Sequence, residues 1–201
     1  MSNSTLGSDG VIRCGWCAQT DAFIPYHDQE WGMPVKDDRG LFEKLCLESF
    51  QSGLSWRTIL TKRENFRNAF AHFDFNQVAL FDGKDVTRLM EDPGIVRHSG
   101  KIAAVIHNAQ RAKELLAECG SLANFFWRFE VADNRYSPQS MTASAESITM
   151  AAELKKRGWK FVGPTTLFAF MQAVGLINDH AQDCAIRGVV QEAKQNFTRP
   201  T

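Results

Sequence analysis

The stretch KKRGWKFVGPTT, residues 155–166, predicts a short turn between two helices. Apolar residues recur at helical spacing on both sides of it, over 148–157 and over 165–174, and glycines bound the turn itself. Such a turn leaves the first backbone N–H groups of the second helix free to bind an anion such as a phosphate, and Lys160 adds positive charge beside them. A plain turn with a solvated basic face explains the same residues equally well.

The segments outside this turn also favour helices over strands. Residues 100–119 carry an apolar stripe at helical spacing, and residues 131–144, which are polar and lack apolar rhythm, predict the longest internal loop. Further helices are expected to begin near Asp37, Ser55, Asn76, Asp85 and Ser121. The sequence therefore predicts an all-α protein.

The expected organisation is a single helical unit with two lobes over residues 11–195. One lobe contains 37–130, and the other combines 11–36 with 147–195. Residues 1–10 are small and polar without periodicity, which predicts a disordered leader. Residues 196–201 are expected to form a flexible tail.

The charges of the chain balance, because 23 Lys and Arg stand against 23 Asp and Glu among its 201 residues. A strong overall basic field is thereby excluded, and any contact with nucleic acid depends on local patches. No apolar run approaches the roughly 18 residues of a membrane span, and the amino terminus lacks a basic-then-apolar signal segment. We therefore expect a cytoplasmic protein without membrane contact.

Two cysteines and two histidines stand near the two ends of the chain: Cys14, His27, His180 and Cys184. His180 and Cys184 are four residues apart, so one helical turn can aim both at one point, whereas Cys14 and His27 need a loop to bring them together. Two Cys and two His complete a zinc tetrahedron without an open position, which would make the site structural. Scattered buried thiols and histidines explain the spacing equally well.

A carboxylate and several aromatic residues form a second candidate site. Glu48 lies in the apolar run Leu-Cys-Leu-Glu-Ser-Phe, residues 45–50, where it can line a cleft, although most single helix glutamates face solvent. Phe23, Tyr26 and Trp31 surround His27 in sequence, which indicates either a stacking pocket or packing around a metal.

The chain resembles the family of bacterial 3-methyladenine DNA glycosylase I, within the helix-hairpin-helix glycosylase superfamily. The resemblance extends from Arg13 to about Cys184. The motifs that carry it are RCGW (13–16), YHD (26–28), EWG (30–32), LE (47–48), GLSW (53–56), KKRG (155–158), FVG (161–163) and NDH (178–180). Each motif is weak alone, but together they are specific.

The resemblance implies a helix-hairpin-helix fold and a role for each candidate residue. Cys14, His27, His180 and Cys184 would bind one structural Zn²⁺. Glu48 would hydrogen-bond the flipped base, and Tyr26, Trp31 and Trp56 would line the pocket or stack in it. Gln51, Gly53 and Leu54 would form the wedge that fills the gap in the duplex. The DNA-backbone hairpin would span 158–165, with Gly158, Lys160, Gly163 and Thr165.

Two positions need separate treatment. Phe23 stands where the family often has Tyr, so a stacking role survives and a hydroxyl contact does not. Asp179 lies about where other members of the superfamily keep a catalytic Asp, yet in this branch that role is thought to be absent, and we assign it none.

The implied activity is base-excision repair of double-stranded alkylated DNA, with hydrolytic release of 3-methyladenine. We expect Glu48 to be ionised and the enzyme to be monofunctional, because no isolated Lys replaces the nucleophile of the superfamily and Lys160 lies in the hairpin itself. We also expect a monomer that works at the bacterial nucleoid. The alternatives are a glycosylase for another alkylated purine and a zinc-stapled DNA-binding module without catalysis.

Overall fold

The computed structural model describes residues 3–132 and 135–200. The α-helices are α1 (Phe23–Gln29), α2 (Asp38–Gln51), α3 (Trp56–Thr61), α4 (Arg63–Ala69), α5 (Phe75–Val78), α6 (Gly83–Glu91), α7 (Ser99–Cys119), α8 (Leu122–Phe126), α9 (Ala145–Lys156), α10 (Pro164–Ala173) and α11 (Ala185–Asn196). Short 3₁₀ helices span Gly15–Gln19, Ala71–Phe73 and Trp127–Phe129. The protein is thus mostly helical, as the sequence predicts.

Side-chain caps explain where most of these helices begin. Asp37 and Ser55 accept hydrogen bonds from the first turns of α2 and α3, at the predicted positions. The starts predicted at Asn76 and Asp85 are wrong by two or three residues, because Asp74 and Asp82 cap α5 and α6 instead. In α6 the error has a clear cause, since Asp85 is the third residue of a capping box that Asp82 opens.

Two helices were not expected from the sequence. His27 lies in α1 rather than in a loop. His180 and Cys184 do not share a helical turn, because residues 180–184 form a turn closed by the hydrogen bond from Cys184 N to Ala181 O (3.0 Å). Cys184 is the residue that precedes α11. The two side chains nevertheless converge, since a tight turn brings residues four apart as close as a helix does.

The expectation of a disordered leader is wrong for the residues of the first strand. β1 (Ser4–Leu6) pairs antiparallel with β2 (Ile12–Cys14), in a register that places Ser4 opposite Cys14. A backbone hydrogen bond from Gly15 N to Asn3 O (2.7 Å) extends the pairing. Backbone pairing does not need apolar side chains, so the polar composition gave no sign of the strand. Residues 1–2 of the predicted leader lie outside the described residues.

The carboxyl-terminal tail is also packed rather than flexible at two positions. The Phe197 ring lies 4.3 Å from the Trp127 ring, centroid to centroid. The Arg199 guanidinium pairs with both carboxylate oxygens of Glu130, at 2.9 and 2.8 Å. These contacts join residues far apart in sequence, which a local pattern does not reveal; residue 201 lies outside the described residues.

The apolar core is continuous across both predicted lobes. Buried residues from Leu41 to Ile177 form one cluster, and α10 packs against both α2 and α9 within it. A second, smaller cluster surrounds Cys14 and Cys184. The division into lobes stays a prediction. Among the described residues, none of the helices combines the length and apolarity needed to cross a bilayer.

A close backbone approach fixes the amino-terminal segment on this core. Gly175 has φ +83°, and a Cβ there would lie 2.7 Å from Pro34 N, closer than side chains ever come. The hydrogen bond from Val35 N to Val174 O (3.1 Å) runs beside this contact. The segment that carries Trp31 is therefore held against the end of α10.

Candidate functional site

Cys14, His27, His180 and Cys184 meet in a buried cluster. One donor atom from each of them lies within 4.8 Å of the others. Cys184 Sγ is 3.5 Å from His180 Nδ1 and 3.6 Å from His27 Nε2, and Cys14 Sγ is 3.7 Å from His180 Nδ1. The structure therefore brings the four predicted ligands together from both ends of the chain, in a set that could bind a metal.

These spacings suit a tetrahedral ion. Typical zinc bonds to thiolate and imidazole in a tetrahedron separate sulfur from nitrogen by about 3.6 Å. The three sulfur–nitrogen distances of 3.5–3.7 Å agree with that value. The donor set of two thiols and two imidazoles is therefore one that a closed tetrahedral site requires.

The outer nitrogen of each imidazole is already engaged, which orients the inner one. His27 Nδ1 lies 2.7 Å from Asp28 Oδ1, and His180 Nε2 lies 3.0 Å from the carbonyl oxygen of Trp31. Both contacts suit an N–H donor at the outer position, so the inner nitrogen carries the lone pair. Arg13 holds Asp28 in turn, with Nη2 2.9 Å from Asp28 Oδ2.

The charges around the cluster favour this arrangement. Burial alone would raise the pKa of Asp28, but hydrogen bonds from Arg13 and His27 outweigh it and leave that pKa below its ordinary value. A hydrogen bond between Cys14 and Cys184 lowers the pKa of the Cys184 thiol. The same hydrogen bond, together with burial, raises the pKa of the Cys14 thiol, so the pair favours one thiolate, at Cys184, and thiolate is the form that binds metals.

A pocket of about 700 Å³ opens beside the cluster. The predicted base-recognition residues Phe23, Tyr26, Trp31, Glu48 and Trp56 all line it, and so does Gln51. The Tyr26 and Trp56 rings lie 5.2 Å apart, centroid to centroid. The structure therefore places these residues around one space of a size that holds a small aromatic ligand.

The Cys/His cluster and the pocket share a wall. The Trp31 ring lies 4.6 Å from the His180 ring and is stacked with the His27 ring at 6.2 Å. Trp16 contacts both Trp31 (5.0 Å) and His27 (5.4 Å). Gly32 must remain small, since a Cβ there would lie 3.2 Å from His180 Nε2. The positions of the pocket rings therefore depend on the cluster behind them.

Glu48 is the buried acid of the pocket. It belongs to α2, has only 6% of its surface exposed, and forms part of the wall with Tyr26 and Trp56. Burial raises the pKa of Glu48 to about 8, and the ammonium of Lys44 opposes that shift only in part. At neutral pH the carboxyl of the free protein is therefore mostly protonated, contrary to the ionised state expected from the sequence.

The sequence missed several residues that line the pocket. Asp179 accepts hydrogen bonds from Gln139 N (2.7 Å) and Gln172 Nε2 (2.5 Å). Gln139 has φ +55°, an unusual conformation for this residue type, which the bond to Asp179 helps to hold. The other missed lining residues are Trp16, Gln19, Ser55, Arg57, Met141 and Ala169. No spacing rule connects a loop at 137–141 with α10, so only the fold reveals them.

The residues of the predicted hairpin extend from the end of α9 into the first turn of α10. Gly158 has φ +84°, which allows the sharp turn after α9. His107 Nε2 donates to Gly158 O at 2.9 Å, and the Asn108 amide pairs with both Lys160 O (2.9 Å) and Lys160 N (2.8 Å). Side chains of α7 therefore hold the backbone of this turn while the Lys160 side chain remains exposed.

The far end of the hairpin leads directly into α10. Gly163 precedes the helix, and Thr165 lies exposed in its first turn. The N–H of Leu167 already donates to Gly163 O, whereas the N–H of Thr165 comes before the first intrahelical bond. This end of α10 therefore has backbone donors without intrahelical partners, and anion binding there stays a prediction.

The predicted wedge lies at the end of α2. Gly53 has φ +77°, and a Cβ there would meet nothing within 4 Å. Leu54 is 42% exposed, which is unusual for a leucine beside a large pocket. Gln51 both lines the pocket and accepts the hydrogen bond from Leu54 N (2.6 Å) that closes the turn. The turn therefore presents an apolar tip at the pocket edge.

Comparison with known proteins gives concordant matches. The model of the methyladenine glycosylase family matches residues 16–187. DNA-3-methyladenine glycosylase 1 of Escherichia coli (strain K12) is 45% identical over 177 residues, which cover 86% of this chain and 95% of that protein. DNA-3-methyladenine glycosylase of Haemophilus influenzae is 41% identical over 183 residues, with 87% and 97% covered.

A solved structure agrees with these sequence matches. A variant of 3-methyladenine DNA glycosylase I, crystallised in complex with 3-methyladenine, superposes with a TM-score of 0.80 at 36% identity. The match covers 85% of this chain and 96% of that one.

The burial of Glu48 predicts a specific pH dependence of stability. Its pKa in the folded protein, about 8, exceeds the value of 4.5 for an exposed glutamate. The stabilisation from a neutral Glu48 is therefore complete below about pH 4.5 and is lost as the pH rises to about 8, by up to about 1.4 kcal/mol per pH unit. Urea unfolding of the wild type and of Glu48→Gln from pH 5 to 8.5 measures the difference. Parallel stability curves for the two proteins would contradict the buried acid.

Proposed function

This chain belongs to the methyladenine glycosylase family, and we propose that it releases 3-methyladenine from alkylated double-stranded DNA by hydrolysis of the N-glycosidic bond. The observation that carries this proposal is the buried acid Glu48 among the aromatic rings of Tyr26, Trp31 and Trp56. A glycosylase must take the damaged nucleotide out of the stack before it can act, and this pocket has the size and the aromatic lining for a flipped base.

The charge of the damaged base explains the choice of residues. Methylation at N3 makes the base in DNA cationic, so the rings of Tyr26, Trp31 and Trp56 attract it by about 0.5–2 kcal/mol each. A cation beside Glu48 also favours the carboxylate over the neutral acid. Binding of the methylated base would therefore ionise Glu48, whereas neutral adenine would leave it protonated, and the carboxylate then accepts charge-assisted hydrogen bonds from the base.

The chemical step needs little acid catalysis. An alkylated base leaves the sugar as a neutral molecule, so its glycosidic bond is already weak and the leaving group needs no proton. Water attacks the anomeric carbon while the pocket holds the base. The indole N–H of Trp56 is buried without a partner among the described residues, which makes it a candidate donor to the bound base.

DNA binding would use the two turns beside the pocket. The wedge of Gln51, Gly53 and Leu54 would fill the space that the flipped nucleotide leaves. The N–H of Thr165 and the charge of Lys160 would bind the phosphate backbone at the hairpin, which we infer to be the helix-hairpin-helix motif. Since the net charge of the chain is zero, this local contact carries the electrostatic part of binding.

The cluster of Cys14, His27, His180 and Cys184 would bind one structural Zn²⁺. Its four protein donors leave no position for water, so the ion would stabilise the fold rather than activate a nucleophile. It would fasten the amino-terminal segment to the turn before α11. We further propose that the protein acts as a monomer on chromosomal DNA, at the nucleoid of the bacterial cytoplasm.

Base release from methylated DNA tests the activity directly. We expect the wild type to release 3-methyladenine from duplex DNA treated with a methylating agent, and Glu48→Gln to lower kcat/KM at least about tenfold because it removes the carboxylate that can form among the rings of Tyr26, Trp31 and Trp56. Chromatography of the released bases measures the activity of the wild type and of Glu48→Gln. The same chromatograms report release of 7-methylguanine and 3-methylguanine.

A matched variant controls for loss of a carboxylate on the same helix. Glu43 also lies on α2 but pairs with Arg67 at 2.7 Å and does not line the large pocket. Glu43→Gln should retain wild-type release. No release of 3-methyladenine by the wild type would defeat the proposal, and preferential release of another purine would change the substrate.

We expect hydrolysis without a covalent enzyme–DNA intermediate. No lysine is among the described residues that line the large pocket, and Lys44 lines the smaller cavity that shares Tyr26, Glu48 and Trp56 with it. Sodium borohydride added during base release should therefore trap no protein–DNA adduct, as judged by denaturing electrophoresis. A trapped adduct that maps to a lysine would show a lyase and overturn this part of the proposal.

Metal analysis tests the proposed zinc site. The purified wild type should contain about one zinc ion per chain, and Cys184→Ala should lose the ion together with thermal stability, because removal of one ligand opens a closed site. Cys46→Ala is the matched control, since Cys46 is an equally buried thiol outside the cluster. A wild type without metal, or a Cys184→Ala variant with unchanged metal content, would contradict the assignment.

A further inference from the structure

Lys101 is a buried cation that belongs neither to the pocket nor to the Cys/His cluster. It lies in the first turn of α7 with 6% of its surface exposed. Burial lowers the pKa of its ammonium group, and within the described chain no carboxylate forms an ion pair with it. Burial of an ammonium group costs free energy unless its donors are bonded, so a position that only had to pack would favour an apolar side chain.

The partners of Lys101 are the last carbonyl groups at the end of α2. Its Nζ donates to Phe50 O at 2.8 Å and to Ser52 O at 2.5 Å. The last carbonyls of a helix lack intrahelical partners, so these two bonds satisfy groups that would otherwise be unpaired. They also grip the backbone on both sides of Gln51, immediately before the exposed tip at Gly53 and Leu54.

Helix α7, which carries Lys101, also supports the hairpin. Two turns after Lys101, His107 and Asn108 bond the backbone of Gly158 and Lys160. At the start of α7, the His98 ring packs edge to face on the Phe161 ring at 6.3 Å. One rigid helix therefore holds the wedge turn at its beginning and the hairpin further along.

We propose that Lys101 is a positioning residue that fixes the wedge turn relative to the DNA-binding hairpin through the rigid body of α7. It does not touch the base. When the hairpin binds the phosphate backbone, the register of the wedge against the duplex is then set by the two bonds to Phe50 and Ser52. This inference rests on the proposed function, because it takes the 51–54 turn as the wedge.

Loss of a positioning residue should impair action on duplex DNA but leave binding of the free base unchanged. Lys101→Met keeps the length of the side chain and removes its three donors. We expect base release from methylated duplex DNA to fall by about tenfold or more, because a displacement of about 1 Å at a positioned group costs up to a hundredfold in rate. The Kd for free 3-methyladenine, measured by tryptophan fluorescence, should stay within about twofold of wild type because the pocket is intact.

Wedge insertion can be observed without any chemistry. In a duplex with a stable abasic site and 2-aminopurine opposite it, insertion of the wedge changes the 2-aminopurine fluorescence. We expect Lys101→Met to reduce that change at saturating protein. A residue that merely stabilised the fold would impair duplex release, free-base binding and the fluorescence change in parallel, and that result would overturn the proposal, as would unchanged behaviour in all three.

Lys194→Met is the matched control for removal of a buried lysine. Lys194 is 1% exposed, lies on α11 and pairs with Glu130 at 3.5 Å rather than with a residue of the wedge or the hairpin. It should retain wild-type base release and the wild-type fluorescence change. If Lys101→Met does not fold, Lys101→Gln serves in the same three measurements, because its shorter neutral side chain cannot hold both carbonyls as Lys101 does, and the same two outcomes are expected.

The proposed function can fail separately. A wild type that releases no base would defeat the glycosylase assignment, while the fluorescence change on the abasic duplex would still report whether Lys101 positions the turn. A wild type that is active and a Lys101→Met variant with unchanged duplex release would overturn only the role of Lys101.

Discussion

The meeting of Cys14, His27, His180 and Cys184 is the constraint on which the rest of the site depends. These residues come from the two ends of the chain, and their donor atoms lie within 4.8 Å of one another. Among the described residues, the amino-terminal segment has a two-stranded sheet, one short 3₁₀ helix and one short α-helix, too little to bury a core. Its rings can therefore be held in place only by attachment to the remainder of the fold, which the cluster and the contact at Gly175 provide.

The pocket combines an acid and rings that suit a cation better than a neutral ligand. A permanently ionised Glu48 would bind many polar donors, whereas an acid whose pKa is about 8 in the empty pocket gains its charge when a positive ligand enters. Under the proposed function, a cationic base would offset the cost of the buried charge. A preference for alkylated bases would then follow from the burial of Glu48 in addition to the shape of the pocket.

The sequence predicts the parts of this site that depend on local pattern. Caps at Asp37 and Ser55 define the helices that carry Glu48 and Trp56, and the motif resemblance identifies the four candidate metal ligands. The sequence does not predict α1, β1 or the contact of Gln139 with Asp179, because these depend on pairing across the fold rather than on periodicity. The raised pKa of Glu48 in the empty pocket could not be predicted at this level either, since burial among neighbours is a property of the folded chain.

The position of Asp179 shows why a residue should not be assigned by its place in a superfamily alone. It lies in the pocket wall, yet both of its carboxylate oxygens already accept hydrogen bonds, from Gln139 N and Gln172 Nε2. A carboxylate held in this way stabilises the 137–141 loop in its unusual backbone conformation, which gives Asp179 a structural role apart from any activation of water. For a cationic leaving group such activation is of small value, since the bond is already weak. Under the proposed function, Asp179 would shape the wall, Glu48 would gain its charge with the substrate, and a strong general base would not be needed.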